Sequence, residues 1–133
     1  MANINFKTIN SSDYVSPSVI NSNFQLVDPL GYDYVTSQGT SGNWNFRKWK
    51  SGICELWGNL DYASGSGMLN CVAKFPVSFK SRPTSSVVAG GDSMNYVEVQ
   101  YVKSSTTDVN FWISRGDNAC ATWAEVHVIG RIS

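Results

Sequence analysis

Apolar and polar residues alternate along most of the chain after residue 31, and this period of two predicts β-strands. The clearest alternation covers Trp44–Gly58, where two alternating runs flank Lys50-Ser51-Gly52. Such a pattern predicts a strand, a tight turn containing glycine and a second strand. Three of the five tryptophans lie within these fifteen residues. Because large rings bury much area, we expect this hairpin to nucleate the core.

Further alternating runs follow the hairpin and end at short segments rich in glycine, serine, threonine and asparagine. One run carries Val97, Val99 and Tyr101 on one face, as expected of a strand with one side turned inward. Turns or loops are predicted at Asp61–Gly67 and Gly116–Asn118, among other places. About eight strands at this spacing are typical of an antiparallel sandwich or barrel. We expect an all-β fold, an antiparallel β-sandwich.

The second strand of the hairpin carries apolar residues on both faces. Cys54, Leu56 and Leu60 share one face. Ile53 and Trp57 share the opposite face. A simple sandwich buries one face of each sheet, so the second apolar face predicts a covering element or a subunit interface. Because only 15% of residues are charged, we favour an interface. The residues expected in the core or at this interface are Trp44, Trp49, Ile53 and Trp57.

The first 31 residues follow a different pattern. Ser16 is a favourable N-cap, and Pro17 suits the first position of a helix. A short helix is predicted over about Pro17–Asp28, before Pro29 and Gly31 end it. Because so short and polar a helix is unstable alone in water, its apolar face needs a partner, either the β domain or another protein. The residues expected at this contact are Val19, Ile20, Phe24 and Val27.

Charge and composition argue against several functions. Lysine plus arginine and aspartate plus glutamate both number 10, so the chain lacks the basic footprint of a nucleic-acid-binding module. No apolar run approaches the about 20 residues of a membrane span, and no signal peptide is recognisable, so we expect synthesis in a cytosol. Cys54, Cys71 and Cys120 are too widely spaced for a structural zinc site and are expected to be buried thiols. No cofactor or metal is expected.

Candidate catalytic residues are few. The single histidine, His127, lies between two valines and is expected to be a partly exposed strand residue rather than a general base. Glu55, Glu98 and Glu125 could supply the two carboxylates of a glycan hydrolase, but all three fall in predicted strands. We therefore expect no enzymatic activity. Arg115-Gly116-Asp117 matches a cell-adhesion tripeptide, but a hairpin turn favours such residues for backbone reasons, and we treat the match as chance.

A basic cluster, Arg47, Lys48 and Lys50, lies among the aromatic residues of the hairpin. Two interpretations are open. Cations beside aromatic rings can stack on sugars or nucleobases, or they can stabilise the hairpin and a subunit seam through cation–π contacts. We favour the structural interpretation.

The segment Gly42–Gly58 carries the pattern Gly-x-Trp-x-Phe-Arg-Lys-Trp-x-Ser-Gly-Ile-x-Glu-x-Trp-Gly. This pattern resembles a motif shared by minor structural proteins of tailed bacteriophages and prophages, where it lies in a β-rich C-terminal domain of tail-fibre type. The resemblance extends upstream through Gly31–Gly39. It is weaker downstream, where Phe75–Phe79 and Val128–Arg131 match.

The resemblance implies a virion structural protein made in the bacterial host cytoplasm. We expect a small homotrimeric fibre or tip, a tail fibre or head fibre, with no nucleic acid partner and no membrane insertion. Residues 1–31 would attach to another virion protein of the capsid or tail. Residues 32–133 would form a β head that faces outward and contacts host surface glycans. The alternatives are a capsid decoration protein or a stand-alone carbohydrate-binding module, and a glycan depolymerase is the least expected.

Loops are the expected receptor-facing parts of such a head, because rigid β scaffolds commonly present recognition residues on loops. Three loops are candidates: 61–67, 90–96 and 116–122. Aromatic and amide side chains are suited to recognition. The candidate receptor-facing residues are Tyr62, Asn95, Tyr96 and Asn118.

Overall fold

Two long antiparallel strands organise the fold in the computed structural model, which describes residues 32–92 and 96–133. One strand has 22 residues and the other has 24. They pair along their whole length, from Ile53 opposite Arg131 to Lys74 opposite Asp108. The described residues form six strands: β1 (Val35–Ser41), β2 (Trp44–Trp49), β3 (Ile53–Lys74), β4 (Thr84–Gly91), β5 (Val97–Ser104) and β6 (Asp108–Arg131).

The long pair bends in its middle. A straight strand of 22 residues would extend roughly 70 Å, too long to enclose a small core. Pairing between β3 and β6 shifts register between Tyr62 and Gly67, and Gly67 has a φ of 71°. Glycine adopts this left-handed conformation without steric cost. The bend places Phe111, from beyond it on β6, against Tyr62, with ring centroids 5.7 Å apart.

The bend produces two layers. The first layer contains β1, β2, the first half of β3, the second half of β6 and β4. The second layer contains the remaining halves of β3 and β6 together with β5. Apolar side chains from both layers form one core. Its buried members are Trp44, Cys54, Leu56, Cys71, Ala73, Phe79, Val109, Phe111, Ile113, Ala124, Val126 and Val128.

The all-β antiparallel fold predicted from the sequence is confirmed, but the number of strands differs. The predicted loop at Asp61–Gly67 lies within β3, and the predicted turn at Gly116–Asn118 lies within β6. These two predictions of chain reversal are wrong because the two segments pair with each other, with Gly65 opposite Cys120. About eight predicted segments therefore become six strands.

Aromatic rings of the first layer pack onto glycines directly across the sheet. Trp44 lies opposite Gly58, and a Cβ added at Gly58 would come within 2.9 Å of the indole. Gly90 and Trp123 form a second pair of this kind. The missing side chain of glycine leaves space for a ring on the neighbouring strand. This explains why the Gly42–Gly58 motif ends in glycine.

One end of the core is closed by the segment after β3. Trp44, Phe75 and Phe79 form a chain of edge-to-face contacts with centroids 5.9 and 5.5 Å apart. Backbone hydrogen bonds from Phe79 to Thr106 and from Lys80 to Arg131 hold this segment across both layers. The two edge-to-face contacts add to the area that the rings bury.

The three cysteines are free and buried, as predicted. Burial raises the pKa of Cys71 to about 11, although the Arg115 charge opposes this shift. Burial likewise raises the pKa of Cys54. No helix in the described part of the chain is long and apolar enough to span a membrane. The predicted helix and its contact residues Val19, Ile20, Phe24 and Val27 lie outside the described residues.

Candidate functional site

A groove of about 310 Å³ lies on the first-layer outer face, the side of that layer turned away from the core. Two rows of side chains line it. One row crosses four paired strands and consists of Asn45, Trp57, His127 and Ser86. The other row consists of Asn59, Glu125 and Val88. The groove therefore combines one large ring with several hydrogen-bonding groups.

The imidazole in this groove is held by a carboxylate. Glu55 Oε1 lies 3.0 Å from His127 Nε2. A carboxylate only accepts hydrogen bonds, so the imidazole Nε2–H donates to Glu55. The His127 side chain is about half exposed, as predicted for a partly exposed strand residue.

The basic cluster of the hairpin stacks on aromatic rings. The guanidinium carbon of Arg47 lies 5.6 Å from the centre of the Trp57 ring. Lys48 lies over Phe46 at 5.4 Å, and the Lys50 ammonium lies 5.5 Å from another ring, Tyr34. Arg47 Nε is buried and has no hydrogen-bond partner among the described residues. These contacts agree with the structural interpretation of the cluster and hold Trp57 at the groove.

The second-layer outer face has a different chemistry. Trp112 lies opposite Tyr101 on β5 and opposite Asn70 on β3. On β3, Met68 and Val72 lie two positions to either side of Asn70, so they are the diagonal neighbours of Trp112 across the strand pair. Both are about half exposed. This face therefore exposes four large apolar side chains near one another, with the polar Asn70 among them.

Sequence reasoning missed the contribution of Tyr101 to this patch. We expected Tyr101 to face the same way as Val97 and Val99. A register shift between Val99 and Tyr101 reverses its direction, because Val99 pairs with buried Ile113 and Tyr101 pairs with exposed Trp112. A β-bulge of this kind leaves no reliable mark in the period of the sequence.

The four residues expected in the core or at an interface occupy different places. Trp44 is in the core. Trp49 and Ile53 are half-buried. Trp57 is 37% exposed and lies on the first-layer outer face, outside the core, so a place at a subunit interface stays a prediction for this residue. The period of two had already placed Trp57 opposite Leu56, and the missing information was what covers that face.

The candidate receptor loops meet at the bend. Thr122 pairs with Tyr62 of β3 on one side and with Gly91 of β4 on the other. The Ala121 amide donates to Asp92 Oδ1 at 2.8 Å, which adds the segment after β4. The positions of these segments in the sequence would not reveal this proximity, since the segments are far apart in the chain.

The predicted receptor-facing residues differ in accessibility. Tyr62 packs on the core ring of Phe111, its hydroxyl donates to the Val72 carbonyl at 3.4 Å, and burial raises its pKa to about 12. Tyr96 and Asn118 are exposed, and the Glu98 charge raises the pKa of Tyr96. Asn95 lies outside the described residues.

Arg115 is buried at the bend. Its guanidinium donates to the carbonyl oxygens of Ala63, Ser66 and Gly67 at 2.9 to 3.2 Å. It also donates to Thr122 Oγ1 at 3.4 Å. The side chain is thus engaged within the fold, in agreement with the interpretation of Arg115-Gly116-Asp117 as a chance match.

The candidate carboxylates are divided between the two outer faces. Glu55 and Glu125 lie on the first-layer outer face, opposite exposed Ile129 and Asn59. Glu98 lies on the second-layer outer face, opposite Ser114. Within residues 32–92 and 96–133, no cluster of three or more histidine, cysteine, aspartate or glutamate residues could hold a metal ion.

Comparison with known proteins places this architecture among tail fibres. No protein-family model and no curated protein matches the chain. It is similar to an N-truncated R1-type pyocin tail fibre, with a TM-score of 0.59 and 17% identity over 88% of this chain and 98% of that one. It is also similar to a C-terminal part of the R1 pyocin fibre of P. aeruginosa, with a TM-score of 0.64 and 15% identity, covering 98% of this chain and 41% of that one.

At these identities the likeness establishes a shared fold. The β-rich, tail-fibre-type domain expected from the motif at Gly42–Gly58 is therefore confirmed as a fold.

Proposed function

We propose that the chain is a virion structural protein of a tailed phage or prophage, a small homotrimeric fibre or tip. The observation that carries the proposal is the fold shared with pyocin tail fibres, which the motif at Gly42–Gly58 had independently indicated. In this proposal residues 1–31 attach the chain to a capsid or tail protein. The β head is displayed outward from the particle and contacts host surface glycans.

The second-layer outer face supports contact between copies of the chain. Its patch of Trp112, Tyr101, Met68 and Val72 exposes large apolar side chains together, and a monomer rarely exposes such a cluster without a function. Apolar and aromatic residues are typical of the buried centre of subunit interfaces. We assign the contact between copies to this face.

The mass of the purified protein in solution tests the proposal. A trimer has a mass of 3 × 14.6 kDa, about 44 kDa, and light scattering distinguishes it from a monomer of 14.6 kDa. Met68→Glu should convert the trimer to monomers, because it places a charge in the proposed contact. Val88→Glu is the matched control, since it adds the same charge to an exposed strand position on the other outer face. A monomeric wild-type protein would contradict the proposed trimer.

A second candidate, a stand-alone carbohydrate-binding module, is favoured by one observation: the groove beside Trp57. It predicts a monomer whose first 31 residues are dispensable for every activity. The same mass measurement, combined with sugar binding by residues 32–133 alone, distinguishes this candidate from a fibre.

The proposal includes no catalysis. The placement of the candidate glutamates supports this. Glu98 is on the other face, and Glu125 lies opposite Asn59, four residues along β3 from Glu55, which is roughly 13 Å along the strand. A hydrolase needs two carboxylates in one cleft roughly 5–9.5 Å apart. Incubation with bacterial surface polysaccharide should release no new reducing ends. This part of the proposal would be contradicted if reducing ends were released at a rate proportional to protein concentration and if Glu125→Gln abolished that release.

A further inference from the structure

We propose that the groove on the first-layer outer face binds a neutral, hydroxyl-rich sugar ring, with Trp57 as the platform. This inference rests on the proposed contact with host glycans. It assigns that contact to a strand face rather than to the loops at the bend.

Trp57 has the properties of a stacking platform. Its indole is 37% exposed at the groove, and it offers a flat apolar surface to a ligand. The Arg47 guanidinium lies 5.6 Å from the ring centre and restrains the ring within the sheet. A restrained ring loses little conformational freedom on binding, which favours affinity.

The polar lining matches the hydrogen bonds of sugar hydroxyls. The carboxamides of Asn45 and Asn59 and the hydroxyl of Ser86 both donate and accept. Glu125 adds an acceptor, and His127, oriented by Glu55, adds an imidazole. A sugar hydroxyl likewise donates and accepts, so such a mixed set can satisfy it.

The charge in the groove lining disfavours anionic sugars. Glu125 lines the groove. Glu55, 3.0 Å from His127, is offset by Arg47, which lies opposite it on β2 and stacks on Trp57. The Glu125 carboxylate therefore disfavours a sugar acid or a phosphorylated sugar through like-charge repulsion. The volume of about 310 Å³ is at the lower end of the range for ligand pockets, which suits a single ring.

The two outer faces suit different occupants. The second-layer face places Tyr101 beside Trp112 and Met68 and Val72 diagonal to it, which favours another protein surface. The first-layer groove combines the apolar surfaces of Trp57 and Val88 with two amides, a hydroxyl and a carboxylate, which favours a small ligand that has both apolar and polar sides. A trimer joined through the second-layer face would present three grooves, and several weak contacts would then act together.

Sugar binding by the full chain tests the inference. The probes are the methyl glycosides of glucose, galactose, mannose, N-acetylglucosamine and rhamnose, with N-acetylneuraminic acid as the anionic comparison, each followed by saturation-transfer NMR. We expect at least one neutral glycoside to bind and the anionic sugar to give no signal. Trp57→Ala should weaken binding by about tenfold or more, equivalent to about 1.4 kcal/mol.

Two further variants make the test specific. Ser86→Trp fills the groove from an exposed position on β4 and leaves every core residue in place, so it should abolish binding in a folded protein. Tyr32→Ala is the control, because it removes an aromatic ring that is 62% exposed and lies outside the groove and outside the proposed contact between copies, and it should leave the affinity unchanged.

The inference is overturned if no neutral glycoside binds, or if Ser86→Trp binds as the wild type does. It is also overturned if Ser86→Trp converts a trimer to a monomer, since the groove would then be the contact between copies. Failure of sugar binding with an unchanged mass of about 44 kDa would remove the groove assignment and leave the fibre proposal intact. A 14.6 kDa wild type that binds sugar would instead remove the fibre proposal.

Discussion

Arg115 is the residue that holds the bend of the long strand pair. Its four hydrogen bonds go to one hydroxyl and to three carbonyl oxygens of β3 at the register shift. A buried guanidinium needs partners for its N–H groups, and it supplies several donors in one rigid plane. A buried cation can therefore stabilise irregular backbone without a carboxylate beside it.

Arg115→Ala should lower the free energy of unfolding by about 3 kcal/mol, because it removes a buried side chain and the four hydrogen bonds that its guanidinium donates. The measurement is urea denaturation followed by tryptophan fluorescence. Arg131→Ala is the control, since Arg131 is an exposed residue of the same strand with one hydrogen bond to Ser51, and it should cost under about 1 kcal/mol. Equal losses for the two variants would show that the bend does not depend on Arg115.

The thiol of Cys71 makes stability depend on pH in the alkaline range. Its pKa rises from the ordinary value of 9.0 to about 11 in the folded protein, chiefly through burial. The unfolded chain therefore loses this proton first as pH rises. The free energy of unfolding should be unaffected by Cys71 below pH 9 and should fall between pH 9 and 11.

Urea denaturation at successive pH values under reducing conditions measures this effect. The wild type should lose more stability between pH 9 and 11 than Cys71→Ala, which lacks the titrating group. Tyr62 has a pKa raised to about 12 in the folded protein, so the free energy of unfolding of both proteins should fall further once the pH exceeds its ordinary pKa of 10.0. Parallel curves for the two proteins would contradict the assignment to Cys71.

At the scale of elements, β3 and β6 continue where the sequence predicts reversals. Small residues and glycines usually indicate a turn, as in Asp61–Gly67. The same residues also permit a strand to bend while its partner bends with it. The choice depends on whether another strand is available along the whole segment, and here β6 is available.

Gly67→Ala should destabilise the protein by about 1–2 kcal/mol, because an L residue is strained at a φ of 71°. Nothing lies within 4 Å of the added methyl, so the whole effect comes from the backbone conformation. Thermal and urea unfolding measure it. The neighbouring exposed residue provides the control, and Ser66→Ala should change stability by under about 0.5 kcal/mol. If Gly67→Ala left the stability unchanged, the backbone at residue 67 would not have the positive φ described here, and this account of the bend would be wrong.

At the scale of the whole molecule, the core residues that the structure describes lie in one compact unit, Tyr34–Ser133. The two outer faces of this unit each carry an exposed tryptophan, Trp57 on one and Trp112 on the other. The proposed contact between copies and the proposed sugar groove therefore use different faces and can be tested separately.

A fragment of residues 32–133 should fold with a midpoint of urea denaturation close to that of the full chain, because it retains every core residue that the structure describes. It should fail to enter particles, since the proposed attachment segment is missing. Full-length Phe24→Asp is the matched variant and should fold but attach poorly. Loss of folding in the fragment would assign the first 31 residues to the core and would remove the attachment proposal.

The sequence by itself determined the properties that depend on near neighbours. Its period of two predicted an all-β antiparallel fold and placed Cys54 and Leu56 on one face of a strand, because successive side chains of a strand point to opposite faces. That face is the buried one. It also predicted the tight hairpin turn, where Gly52 has a φ of 89°. These features need only the local backbone geometry of each segment.

Only the tertiary structure decided the features that depend on which strands pair. The bulge that turns Tyr101 outward is a property of the register between β5 and β6. The groove joins Asn45, Ser86 and His127 from three different strands, so no local pattern could reveal it. The sequence also left open whether Trp57 lies in the core, at a subunit interface or on a free surface. Alternation assigns a side chain to one face of a strand, and the packing of the layers determines what covers that face.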